Sequence, residues 1–113
     1  MNTVYSVSEN VKVKNENGTS KRPACSCGSW LEHWENYSGK IQTKCSIKDC
    51  DELAEVGAHI TRPNAKNADY KTHSYILPMC TTHNNQRGEI LTTKKNCTFV
   101  WANVKETCDK ENE

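Results

Sequence analysis

Apolar positions along this 113-residue chain come in short groups separated by long polar stretches. The first groups, Tyr5-Ser6-Val7 and Val11-Lys12-Val13, alternate weakly around Glu9-Asn10. They suit an edge hairpin, or a flexible arm that ends in the Gly18-Thr19-Ser20-Lys21-Arg22-Pro23 loop. Ser29 followed by Glu32 has the form of a capping box, in which each side chain satisfies a backbone N–H at the start of a helix. Trp30 and Trp34 lie four apart and share one face of that helix, and Gly39 can close it. The pattern predicts a short helix with an aromatic core stripe; the competing reading of the two Trp is base stacking.

Cys45-Ser46-Ile47-Lys48-Asp49-Cys50 reads as a tight turn carrying two thiols. Ala54 to Ile60 predicts a strand, and residues 61–74 are polar and turn-rich. Tyr75-Ile76-Leu77-Pro78-Met79 predicts an apolar second strand, its proline tolerable near an end or on an edge. Cys80 to Ile90 starts like a helix, and Cys97 to Val104 predicts a final strand. The expected architecture is α+β, with a polar arm or hairpin over 1–23, one domain over 24–108 and an acidic tail over 109–113.

Composition explains why such a chain needs help to fold. Only 35% of residues are hydrophobic and Phe occurs once, so the hydrophobic core is thin and a covalent or metal staple is expected. Seven cysteines are available, an odd number that would leave one thiol over in a disulfide framework. The start of the chain, Met1-Asn2-Thr3-Val4-Tyr5-Ser6, has neither the charged nor the apolar region of a signal peptide, and no stretch has the length of a transmembrane helix. Asn17, Asn36 and Asn96 stand in Asn-X-Ser/Thr triplets, which chance supplies in an Asn- and Thr-rich chain. A cytoplasmic, reducing setting is expected, and there cysteines turn towards metal.

Zinc prefers four tetrahedral nitrogen or sulfur ligands, commonly offered as two short-spaced pairs. Cys45-x4-Cys50 is one such pair, and Cys80-x2-His83 is the other. At a helix start, residues three apart point to one side, so both members of the second pair can face one ion. With all four positions filled by protein, the ion would be structural. Buried free thiols and a surface histidine are the competing reading. A second zinc could be held by Cys25, Cys27, His33 and Cys108, tying the two ends of the domain together. Cys97 could equally close that set, and free thiols remain the alternative.

The order of knuckle, hairpin and helix is that of a treble-clef finger, and particular residues carry a closer resemblance. Val56-Gly57-Ala58-His59-Ile60, followed by Tyr75-Ile76-Leu77-Pro78-Met79-Cys80-Thr81-Thr82-His83-Asn84, resembles the ββα-metal core of the HNH endonucleases over roughly residues 45–90. The resemblance implies His59 as the general base and Asn84 as a ligand for a catalytic divalent ion such as Mg²⁺ or Mn²⁺. Two positions depart from it: Ala58 stands where an acidic metal ligand is usual, and Tyr75 where an asparagine orients the base. A lone Asn carbonyl is a weak ligand for Mg²⁺ unless Asp69, His73 or Asn85 substitutes for the missing carboxylate.

Charge bears on the partner. The total is +1, but residues 106–113 hold Glu106, Asp109, Glu111 and Glu113 against Lys110, so the rest of the chain is basic. Lys44, Lys48, Arg62, Arg87, Lys94 and Lys95 are candidate contacts to nucleic acid, DNA in particular. The expectation is a zinc-binding, HNH-like nucleic-acid-binding module with weak or no catalysis. Its rivals are a divalent-metal HNH endonuclease and a protein-binding adaptor or inhibitor presenting aromatic residues such as Tyr70 and Tyr75.

Overall fold

The computed structural model describes residues 4–15, 30–65, 71, 73–86 and 88–102. Within them the chain forms β1 (Val4–Val7), β2 (Lys12–Asn15), α1 (Trp30–Ser38), β3 (Val56–Thr61), β4 (Tyr75–Met79), α2 (Thr81–Asn84), β5 (Ile90–Thr92) and β6 (Cys97–Trp101). The architecture is α+β. All six strands join one antiparallel sheet in the order β1-β6-β4-β3-β2-β5.

That order forces the sheet to curl. Three strands stand between β1 and β2, and three between β6 and β5. Four strand spacings on a flat sheet are about 19 Å, whereas the five-residue steps from Val7 to Lys12 and from Thr92 to Cys97 reach about 17 Å at full extension. Curling brings the inward-facing residues of all the strands into one core: Tyr5, Val7, Val13, Ile60, Tyr75, Leu77, Met79, Leu91 and Phe99 pack together. β1 and β2 are thus neither a free arm nor a hairpin. β1 runs against β6, with Val4 opposite Val100 and Val7 opposite Cys97, while β2 lies between β3 and β5. The domain therefore begins well before residue 24; the acidic tail over 109–113 lies outside the described residues.

Helix α1 covers the outer face of β3, β4 and β6. Trp34, Ile76, Val100 and Ala102 form a second apolar cluster there, with Trp30 and Tyr37 against it, so the two Trp are core residues. The indole N–H of Trp34 donates to the Thr98 carbonyl at 2.8 Å. Gly39, at φ +71°, closes the helix as its N–H returns to the Glu35 carbonyl at 3.0 Å. Ser29, the expected cap, lies outside the described residues. The closest approach is at Gly57: a Cβ there would lie 2.5 Å from the Trp30 carbonyl carbon. Only glycine lets α1 sit this low on β3.

The helix expected over 80–90 stops after one turn. Gly88 sits at φ +82° and donates its N–H to the Asn15 carbonyl, and Ile90 to Thr92 are taken up by pairing with β2. The cross-strand bonds outweigh continued helix after Asn84 and Asn85, two poor helix formers in succession. Pro78 sits in the inner strand β4, but β6 pairs only with Tyr75 and Ile76. At Pro78 the flank is the Cys45–Cys50 knuckle, whose Ser46 N–H donates to the Pro78 carbonyl, so no ladder bond needs the missing N–H.

Candidate metal centre

One loop and a helix start assemble the site at one end of the core. The knuckle is closed by Cys50 N–H donating to the Ile47 carbonyl at 3.1 Å, with Asp49 in the left-handed region at φ +64°. It is fastened to the sheet at three places: Ser46 N–H to Pro78, Lys48 N–H to Thr92, and Lys94 N–H to the Ser46 carbonyl. Cys80 caps α2 from an extended conformation, its sulfur accepting the His83 N–H at 3.4 Å. This places the Cys80 and His83 side chains on one side of the first turn.

The four donor atoms of Cys45, Cys50, Cys80 and His83 lie within 4.8 Å of one another, close enough to hold one metal ion. Cys80 Sγ is 3.2 Å and Cys45 Sγ 3.7 Å from His83 Nδ1, and the Cys50 and Cys80 sulfurs are 3.9 Å apart. All three thiols are buried, and His83 is half-buried. Burial pushes the Cys45 thiol up to about 11, since a thiolate there loses its water. A metal ion reverses that preference by supplying the countercharge, so loading releases protons.

One residue at this centre escaped the sequence reading. Asn15, at the end of β2 and 2% exposed, donates from Nδ2 to the His83 carbonyl at 2.7 Å. It steadies the backbone that carries His83. The available signal was strand parity, since alternation from Val13 puts position 15 on the buried side, where an amide must have a reason to be.

The second set of candidate ligands is placed only at His33, because Cys25, Cys27 and Cys108 lie outside the described residues. His33 is fully buried, and its Nε2 lies 2.9 Å from the Trp101 carbonyl. A carbonyl only accepts, so the ring carries a proton on Nε2 and donates it. Burial, opposed by that hydrogen bond, lowers the His33 pKa. Cys97, the alternative closing ligand, is buried in β6 near the knuckle, with its thiol 3.3 Å from the Lys94 carbonyl.

His59 lies on the outer face of β3 directly beneath α1, 5% exposed, its ring 4.6 Å from that of Trp30 in an edge-on contact. The residue opposite it on β4 is Ile76. Tyr75 is the neighbour of Ile76 and faces the interior with no exposed surface, so it neither orients His59 nor offers an aromatic surface to a partner. Ala58 also faces inward. Asn84 ends α2, half-buried, with its N–H on the Cys80 carbonyl. Of the residues considered as substitutes for the missing carboxylate, His73 packs edge-on against Trp101, Asn85 is exposed at the end of α2, and Asp69 is outside the described residues.

Folding gathers four of the candidate cations. Lys44 and Lys48 are on the knuckle, and Lys94 and Lys95 are on the 93–96 turn bonded to it through the Ile47–Thr93 bridge. Arg62 is elsewhere, its guanidinium 5.8 Å from the rings of both Tyr5 and Phe99 and donating to the Tyr5 hydroxyl. Arg87 and Tyr70 lie outside the described residues. Among the described residues no helix is long and apolar enough to cross a membrane. Compared with protein-family models, with curated proteins and with solved structures, the chain matches none.

Proposed function

We propose that the chain is a zinc-stapled nucleic-acid-binding module of treble-clef type, its ion held by Cys45, Cys50, Cys80 and His83. The observation that carries the reading is the spacing of the donor atoms. A tetrahedral ion with Zn–S near 2.3 Å and Zn–N near 2.0 Å requires about 3.8 Å between sulfurs and about 3.5 Å between sulfur and nitrogen. The distances of 3.9, 3.7 and 3.2 Å straddle those edges. Three soft thiolates and one imidazole suit Zn²⁺ better than Mg²⁺ or Ca²⁺, which want oxygen. The knuckle, the β3–β4 hairpin and the α2 turn follow one another in treble-clef order, and that order supports an HNH-like ancestry for this part of the chain.

The nucleic-acid half of the reading is supported by Lys44, Lys48, Lys94 and Lys95 collecting around the knuckle from two distant segments. Binding is preferred to cleavage because a general base must reach the water it deprotonates, and His59 is buried under α1 without a carboxylate at position 58. Native mass spectrometry tests the first half: one zinc per chain is expected, lost on Cys80→Ser, and a chain that never carries zinc sinks the reading. Salt-dependent binding to short DNA or RNA tests the second half. Incubation with plasmid and Mg²⁺ or Mn²⁺ should give no cleavage that depends on His59, with His59→Ala as the control.

A further inference from the structure

We infer that the pocket beside the metal knuckle is a phosphate site that takes one backbone phosphate of a nucleic-acid strand; this rests on the nucleic-acid reading above and gives it a location. The pocket is about 210 Å³, room for a hydrated phosphate group. Lys44, Lys94 and Lys95 line it, together with Gln42, Ser46 and Asn96. Cys45 and Cys97 complete the wall, and no carboxylate contributes to it among the described residues.

Two of the three lysines are tethered to the knuckle beside the pocket. Lys44 Nζ is held by the Asp51 carbonyl at 3.0 Å and Lys94 Nζ by the Cys50 carbonyl at 2.6 Å. Each contact uses one ammonium proton and leaves two, while tethering a side chain that would otherwise lose entropy on binding. Gln42 Nε2 donates both to the Lys44 carbonyl at 2.6 Å and to the buried Ser46 hydroxyl at 2.8 Å, which fixes that wall of the pocket. Lys95 is exposed and makes no hydrogen bond or ion pair with the described residues. Asn96, at φ +61°, forms the tight turn that sets Lys94 and Lys95 at the rim.

A competing role for these lysines is local: three thiolates around one Zn²⁺ leave a net negative charge, which nearby ammoniums would offset. Lys95 separates the two roles, because no hydrogen bond or ion pair ties it to the described residues of the knuckle. The metal-loaded full chain is titrated with inorganic pyrophosphate, followed by amide NMR shifts, and with a labelled single-stranded oligonucleotide at several salt concentrations. The expected result is shifts concentrated at Ser46 and at 94–97 with both probes. Oligonucleotide affinity should fall several-fold in Lys95→Gln and further in Lys44→Gln/Lys95→Gln. The log–log salt slope should shrink by about 0.7 per lysine removed. Zinc affinity should be unchanged in Lys95→Gln, and Lys12→Gln/Lys14→Gln, outside the pocket, should bind as the parent does.

Oligonucleotide binding that Lys44→Gln/Lys95→Gln weakens no more than Lys12→Gln/Lys14→Gln overturns the pocket and leaves the nucleic-acid reading standing. Pyrophosphate binding without oligonucleotide binding overturns the strand as occupant and that reading with it. Failure of both probes overturns pocket and reading together.

Discussion

The two ends of this small domain are held by different forces. Beneath α1, large apolar side chains close the interface around two buried histidines, His33 and His59: Trp34, Ile76, Val100 and Ala102 are buried, and Trp30 and Tyr37 pack against them. At the knuckle there is little regular structure. Residues 40–55 carry a few backbone bonds, two lysine–carbonyl contacts and isolated bridges at Lys44–Leu53 and Ile47–Thr93. Ile41 and Leu53, which could have added core, are 82% and 60% exposed. Where the sequence provides bulky apolar residues, packing suffices; where it does not, four side chains close enough to hold a metal ion are gathered instead.

The largest expected effect breaks the knuckle alone. Chelation, or Cys80→Ser, removes an ion whose binding contributes on the order of 10 kcal/mol in small zinc domains. Hydrogen exchange should then show amides 44–54 losing protection first, with β4, β6 and α1 losing it last. Uniform loss would mean that the two ends are one cooperative unit. At the other end, Trp34→Ala should cost about 3–5 kcal/mol in denaturant unfolding of the zinc-loaded protein, while the folded fraction still takes up one zinc.

Gly57→Ala should cost about 1–3 kcal/mol by lifting α1, because the new Cβ meets helix backbone, which cannot rotate away. A near-neutral result in thermal unfolding would show that α1 has slack. Asn15 ties β2 to the His83 carbonyl, so Asn15→Ala should weaken zinc binding about 10- to 100-fold in a chelator competition, the usual effect of losing a support to a ligand. Unchanged zinc affinity would restrict Asn15 to holding β2.

The smallest effect is acid sensitivity from His33. Its folded-state pKa is lowered by burial, so the unfolded chain takes up a proton that the folded chain resists. Stability from the neutral ring is complete above the ordinary histidine pKa and declines as pH falls below it towards the lowered value. Comparing zinc-loaded wild type with His33→Gln, the variant should lose less stability on acidification through that window. Equal slopes would assign the acid sensitivity to the metal centre alone.

Much of the fold was readable because local patterns reported it. The alternation of Val56 to Ile60, the apolar run of Tyr75 to Met79 and the Trp30/Trp34 spacing each encode an element through its own periodicity. Strand pairing is different. Nothing near Tyr5 or Lys12 says that β1 joins β6 while β2 joins β3 and β5, because those partners lie tens of residues away. Misreading 4–15 as part of an arm or edge hairpin, and 80–90 as the start of a longer helix, both come from that one blind spot.

The candidate site divides along the same line. The sequence by itself determined which residues could be ligands, since zinc chemistry demands thiolates and imidazoles in short-spaced pairs, and Cys45, Cys50, Cys80 and His83 meet that demand locally. Tertiary structure decided the rest. It brought the two pairs within reach of one ion, set Lys94 and Lys95 against the knuckle, and put Asn15 behind His83. It also buried His59 under α1, which no spacing could announce. Ligand identity is a property of side-chain chemistry, whereas exposure and proximity belong to how a curled sheet closes.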